Sequence, residues 1–400
     1  MRERRKTLVS ENLSWRFQGN ELNYLVEVLK SGFKAGADGA FTTRLEKEFA
    51  DSHKSKYAIA FNSGTSTLHA ILLALGVGPG DEVLVPSLTP LMCGLTPHYT
   101  GATPVYVDVN KDTFLIDPLD IREKITEKTK VIMVVHMYGA VCDMKAIMQI
   151  AEEFDLPLVE DCAQCHRGQT ESGHFAGTLG IAGSWSFENS KQLTSGDGGI
   201  VTTDDENIAT KIRKIGGLGF KTLTAGAGRV RTDRDRLQNP DWERFDAIGY
   251  NYRMNQLAAA VALAQVEKQD YFIGLRKLSG KKYTQSLLGS NLLTPQKIIS
   301  GNINSFYTFS AKFNTEQNDV TWYDFRKKYM EFGGDGIYAA SKLLYQEPIF
   351  RDLKIGRHTT PVAEVLQKQL MNFTTNQANE SEMDRQCEIL RKTRKFYGDL

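Results

Sequence analysis

Four hundred residues, 41% hydrophobic and 24% charged, are enough to bury a large core and fit a globular enzyme of two or three domains, or one large domain with a smaller appendage. Forty-nine Lys and Arg stand against 48 Asp and Glu, so no basic field invites nucleic acid or an anionic membrane, and the expected partners are small molecules or other protein chains. Residues 1–10 are charged and lack the apolar run of a signal peptide, and no window has membrane-spanning length. The five cysteines suit a reducing compartment, so a cytoplasmic location is expected.

Residues 11–52 read as helical at both ends, with Leu22, Leu25, Val26 and Leu29 at helical spacing and then Leu45 and Phe49. Between them, 32–39 is a turn-rich loop, read either as a site loop or as a plain connector. From Tyr57 the pattern changes to strands alternating with helices. Residues 57–61 read as a short buried strand, 62–66 as a turn and 67–75 as a helix. That order aims backbone N–H groups, hydroxyls and the positive end of a helix dipole at one spot, making Gly64, Thr65 and Ser66 candidates to hold a phosphate. Ser and Thr also cap helices that bind nothing.

Residues 82–86, 103–108, 131–135 and 157–161 read as further strands, with a helix at 144–154 before the last. Such interleaving predicts an α/β fold with a mostly parallel sheet covered by helices, and ligands of such sheets gather beyond the carboxyl ends of the strands. Asp161 stands at such an end. A buried acid there needs a positive partner, or it caps a helix start at 163–167. Cys162 and Cys165 form a C-x-x-C with no second pair near it, so no metal or redox site is expected.

Lys191 lies at the centre of 184–204, where an apolar, aromatic segment runs into it and a glycine-rich turn leads on to a strand at 200–203. A lysine held between two strands is placed, and if its neighbours desolvate it the neutral amine attacks a carbonyl carbon. Taken alone it reads as an exposed loop lysine, the usual place for that residue type. Lys191 and Asp161 both read as strand-end residues, which would let them face one cofactor from opposite sides. A helix is expected at 207–215. The long segment 216–242 carries Arg229, Arg231, Arg234 and Arg236, with Arg244 just beyond, and reads as a diphosphate contact or a solvated loop. A helix follows at 257–270, and 277–400 reads as a smaller domain with a strand at 305–313.

Three stretches, 159–166, 186–199 and 249–254, resemble in order and spacing the sugar aminotransferases of the DegT/DnrJ/EryC1/StrS family, a branch of the fold type I enzymes that use pyridoxal 5′-phosphate (PLP). The resemblance implies a large PLP-binding domain at 1–272, its mostly parallel sheet sandwiched by helices, and a smaller α/β C-terminal domain at 273–400. It makes Lys191 the amine that forms the Schiff base and then acts as general base, and Asp161 the partner of the pyridine nitrogen. Gln164 matches the position that contacts the ring hydroxyl, while Gly64, Thr65 and Ser186 match positions around the phosphate. Asn251 matches one that reaches the phosphate from the neighbouring subunit, which implies a homodimer with shared active sites.

The implied reaction moves an amino group from L-glutamate or L-glutamine to a keto-sugar, either a nucleotide-linked 3- or 4-keto-deoxysugar or a keto-cyclitol. Related sugar dehydratases carry histidine where this chain has Lys191, which argues against dehydration. A non-catalytic PLP-binding scaffold would not need Lys191, Asp161 and the phosphate residues all intact. Two departures from the family pattern stand out. Pro90 replaces the aromatic that stacks on the cofactor ring, and Glu188 replaces an aromatic or histidine.

Overall fold

The computed structural model describes residues 13–33, 40–226, 238–314 and 320–399. Residues 34–39 of the expected loop, and Arg229, Arg231, Arg234 and Arg236, therefore lie outside the described residues. The chain divides into two compact units, one of Met1–Ala70 with Trp185–Phe272 and the other of Ile71–Ser184 with Ile273–Leu400.

In the first unit the helices Glu21–Lys30 and Phe41–His53 pack against Gln256–Glu267. The last of these buries Ala259, Ala260, Ala262 and Ala264 completely, so three helices approach closely with little side-chain bulk between them. Its start is fixed by Asn255, whose side chain accepts the Ala258 N–H at 2.9 Å. Leu45 and Phe49 are buried as expected. The first helix departs from expectation: Val28 is its buried apolar residue, whereas Val26 and Leu29 are 40% and 61% exposed. The strand Tyr57–Phe61 pairs antiparallel with Gly199–Thr203, Phe61 standing opposite Gly199.

The second unit contains a parallel sheet. Thr103–Val107, Glu82–Pro86, Thr129–Val135, Leu158–Asp161 and the start of Ala182–Ser186 are neighbours in that order, with Asp161 opposite Val135 on one side and Ser184 on the other. Val83–Val85 and Val131–Val134 are completely buried. Covered on both faces, such strands read as continuous apolar runs rather than alternation, which is how they were legible. The helix Met144–Glu153 is started by Asp143, which accepts the Ala146 N–H at 3.1 Å.

Later in the same unit, Leu293–Pro295, Thr308–Phe313, Leu370–Thr374 and Ile337–Ala339 form an antiparallel sheet. It has a core of its own, in which Tyr283, Phe309, Phe325, Tyr329 and Phe373 pack together. Among the described residues no helix is long and apolar enough to cross a membrane.

Candidate active site

Lys191 sits on the loop between the strands Ala182–Ser186 and Gly199–Thr203, five residues beyond the first strand rather than at its tip. The root of the loop is anchored by burial. Trp185 and Phe187 are fully buried against Phe49, edge-on at 5.3 and 6.0 Å between ring centroids, and Trp185 Nε1 donates to Thr202 Oγ1 at 3.2 Å. The Phe187 N–H donates to the Gly198 carbonyl, and the Ser195 N–H to the Phe187 carbonyl, each at 2.9 Å, which closes the loop on itself. The Lys191 N–H donates to the Glu188 carbonyl at 3.0 Å. Arg16, on a short 3-10 turn, holds the outer side: its guanidinium donates to the Lys191 carbonyl at 2.6 Å and to those of Asn189 and Gln192 at 3.3 Å. Glu188 turns inward on its own loop, accepting the Ser190 N–H at 2.9 Å and the Ser190 hydroxyl at 2.5 Å.

The turn before the helix Gly64–Ala74 lies in the same unit. Ser63 caps the helix, its Oγ accepting the Ser66 N–H at 3.1 Å and its carbonyl the Thr67 N–H at 3.3 Å. That leaves the N–H groups of Gly64 and Thr65, and the Thr65 hydroxyl, without a hydrogen-bond partner among the described residues. Two missing side chains create this corner. A Cβ on Gly199 would lie 2.4 Å from the Ser63 carbonyl oxygen, and one on Gly64 would lie 2.9 Å from the Ser186 Cβ, so the turn can press onto both strands only with glycine at those positions. Ser186 is thereby brought beside Gly64. The helix begins three residues earlier than the sequence reading placed it, at the point where the unused donors face out.

The segment 249–254 lies along this turn: the Asn62 N–H donates to the Tyr252 carbonyl at 2.8 Å, and the Tyr252 hydroxyl meets His69 Nδ1 at 2.9 Å. Burial holds the His69 imidazole below its ordinary pKa, favouring the neutral ring. Asn251 itself is exposed on the single chain.

In the second unit, Asp161 ends its strand and is 4% exposed. It starts no helix: residues 163–167 form turns, and Asp161 Oδ1 accepts the Ala163 N–H at 2.9 Å. Its Oδ2 accepts the Cys93 thiol at 3.1 Å. Gln164 is 9% exposed, and its Oε1 accepts the Tyr138 N–H at 2.9 Å. The other end of the amide, Nε2, makes no hydrogen bond with the described residues. Tyr138 takes a left-handed backbone, φ 64°, to present that N–H.

The residue before Asp161 behaves differently. Glu160 is fully buried and its carboxylate accepts the N–H groups of Gly177 and Leu179 at 2.8 Å and Gly180 at 2.6 Å, together with His136 Nε2 at 3.0 Å. His136 Nδ1 accepts the Cys142 N–H at 3.1 Å, which assigns the ring hydrogen to Nε2. Glu160 and Cys162 approach His136 closely enough to suggest a metal site, but both ring nitrogens and both carboxylate oxygens are already in use. Cys162 and Cys165 are free, fully buried thiols whose pKa burial pushes up, to about 12 for Cys165.

Sequence reasoning missed Arg16, Cys93 and Tyr138. No local pattern marks them, because each acts on a residue far away in the chain.

The sequence matches the DegT/DnrJ/EryC1/StrS aminotransferase family over residues 16–391. The chain belongs to this family. The aminotransferase is similar to a GDP-perosamine synthase of Caulobacter vibrioides, 38% identical over 288 residues, 72% of each chain. It is also similar to an L-glutamine:2-deoxy-scyllo-inosose aminotransferase of Streptomyces fradiae, 35% identical over 285 residues, 70% of this chain and 64% of that one. Among solved structures, an aminotransferase from Psychrobacter cryohalolentis superposes with a TM-score of 0.86 at 27% identity, over 95% of this chain and 97% of that one. The fold is that of the fold type I aminotransferases, and the cofactor of this aminotransferase is PLP. The residues present fit that group: the unused donors at Gly64 and Thr65 beside Ser186 suit a phosphate, and the spare Gln164 amide suits an oxygen acceptor.

Proposed function

We propose that this aminotransferase moves the amino group of L-glutamate or L-glutamine to the keto carbon of a nucleotide-linked deoxysugar, a GDP-linked one foremost, in the cytoplasm and as a homodimer. The observation that carries the reading is the open phosphate cradle at Gly64 and Thr65 beside Ser186, in the same unit as an anchored Lys191. Similarity to the GDP-perosamine synthase supports the acceptor, and similarity to the inosose enzyme keeps a keto-cyclitol as the rival.

Each residue then has one task. The N–H groups of Gly64 and Thr65 and the hydroxyls of Thr65 and Ser186 bind the phosphate, with the helix dipole in favour. The Gln164 Nε2 donates to the ring hydroxyl, its orientation fixed by Tyr138. Asp161 accepts the ring N–H and keeps that nitrogen protonated. When bound, the cofactor supplies an electron sink for the pair left at the donor's Cα. Lys191 would hold the cofactor through its side-chain amine, and that amine, when free, would take the proton from the donor's Cα and return one on the acceptor. Asn251 reaches the phosphate of the neighbouring subunit. Residues 1–272 form the cofactor-binding part and 273–400 the smaller part.

The test is the visible absorption spectrum of the protein with PLP, before and after L-glutamate and then L-glutamine. A band that collapses with one donor names that donor. Its return on adding a GDP-linked keto-deoxysugar, and not a keto-cyclitol, is the expected result. Return with the cyclitol alone overturns the acceptor, and a protein that forms no band overturns the function.

A further inference from the structure

Asp161 must stay charged and aimed while almost wholly removed from water, so the donors that face it decide how strongly it holds a proton on its partner. One donor is the Ala163 N–H, at 2.9 Å from Oδ1. Another is unusual: the Cys93 thiol donates to Oδ2 at 3.1 Å. Cys93 is completely buried in the first turn of the helix Met92–Tyr99, whose positive end adds to the field on the carboxylate. Behind it, the Thr89 hydroxyl donates to the Cys93 sulfur at 3.3 Å. Thr89 O–H, Cys93 S–H and the Asp161 carboxylate therefore form a directed chain. A cysteine that merely filled the core would have no need to be flanked by a donor on one side and an acceptor on the other.

We propose that Cys93 is a positioning residue that sets the basicity of Asp161, and through it the protonation of the cofactor's ring nitrogen. The inference rests on the reading of Asp161 as the partner of that nitrogen. A thiol is a weak donor, so it orients the carboxylate while withdrawing little of its charge. A hydroxyl in its place would donate more strongly and leave Asp161 a poorer base; a methyl would donate nothing and leave it a better one. Thr89, by polarising the S–H bond, acts in the same direction as the thiol, one step removed.

The experiment uses holoenzyme loaded with PLP labelled with 15N in the ring, as wild type, Cys93→Ser, Cys93→Ala, Thr89→Val and Asp161→Asn. The ring-nitrogen chemical shift is read by NMR, and the S–H infrared band is assigned to Cys93 by its loss in Cys93→Ser. The shift is expected to move toward the unprotonated value in Cys93→Ser and the opposite way in Cys93→Ala, with Thr89→Val following Cys93→Ala by a smaller amount. The S–H band should move to the frequency of a free thiol in Asp161→Asn. Turnover of Cys93→Ser should fall about two- to tenfold in kcat with the KM for the amino donor nearly unchanged, as expected when one hydrogen bond to the carboxylate changes in strength without being lost. Ser and Ala variants that leave the shift at the wild-type value, or move it the same way, overturn the inference; Thr89→Val decides alone if Cys93→Ala does not fold. If Asp161→Asn keeps full turnover and a protonated ring nitrogen, the role of Asp161 itself falls. If Asp161→Asn disrupts both and the Cys93 variants are silent, only the role of Cys93 falls.

Discussion

The cage around Glu160 and the turn at Gly64 and Thr65 are opposite kinds of polar region. Around Glu160, four donors converge on one fully buried carboxylate and match its lone-pair sites. At Gly64 and Thr65, donors stand half-buried with no acceptor among the described residues. A saturated polar region has nothing left to offer a ligand, so its energy goes into holding the strand end that carries Asp161. An unsaturated one costs stability unless something arrives to fill it.

This contrast is broken most directly by substitution on each side, and the ligand-facing side should give the largest effect. Lys191→Ala should lower transamination about 10⁴-fold, because the base for the Cα proton is lost. Its unfolding transition should barely move, since the loop is held by Trp185, Phe187 and the bonds of Arg16 to main-chain carbonyls. Turnover measured with either donor decides it: an active Lys191→Ala enzyme would end the assignment.

Glu160→Gln should do the reverse, costing about 3–5 kcal/mol of stability, because an amide turns a donor toward N–H groups that need an acceptor. Burial alone would raise the Glu160 pKa, but the hydrogen bonds from His136, Gly180 and Gly177 outweigh it and the net shift is downward. A carboxyl whose folded pKa is depressed contributes stability above its unfolded value, about 4.3, and loses it as pH falls through the folded value. The wild-type protein should therefore lose stability more steeply below about pH 4.3 than Glu160→Gln does. Denaturant unfolding at pH 7 and across the acid range measures both; parallel acid limbs would show that the cage carries no such coupling.

The same contrast explains what could be read from sequence. The strands Tyr57–Phe61 and Glu82–Pro86 fall where the apolar runs placed them, because burial on both faces writes itself locally. Lys191, Asp161 and Gln164 stand in the motifs that carry the family resemblance, and their proposed roles rest on it. The residues that orient them were not legible: Arg16 bonds to a carbonyl 175 positions away, and Cys93 to a carboxylate 68 positions away. Neither contact leaves a mark in its own neighbourhood. Nor could spacing alone tell that Leu29 faces out while Val28 faces in, since that depends on where the helix Gln256–Glu267 lies against it.

The exposed strip 245–251 sharpens the contrast on the smallest scale. Phe245 and Ile248 are 56% and 88% exposed and Tyr250 is 38% exposed, so one short segment carries three large apolar side chains at the surface. Asn251 ends that strip. If a second copy covers it and Asn251 completes the neighbour's phosphate site, Asn251→Ala should weaken PLP retention by about fivefold, the worth of roughly one hydrogen bond. Dialysis followed by measurement of the visible band reads this out. The decisive step is to mix that variant with Lys191→Ala and let the subunits exchange. A mixed dimer then contains one site with both an intact Lys191 and an intact Asn251 from the opposite chain, so tight retention and turnover should return in that fraction. Asn251 acting within its own chain would give no recovery at all, because each variant subunit would keep its own defect whatever its partner.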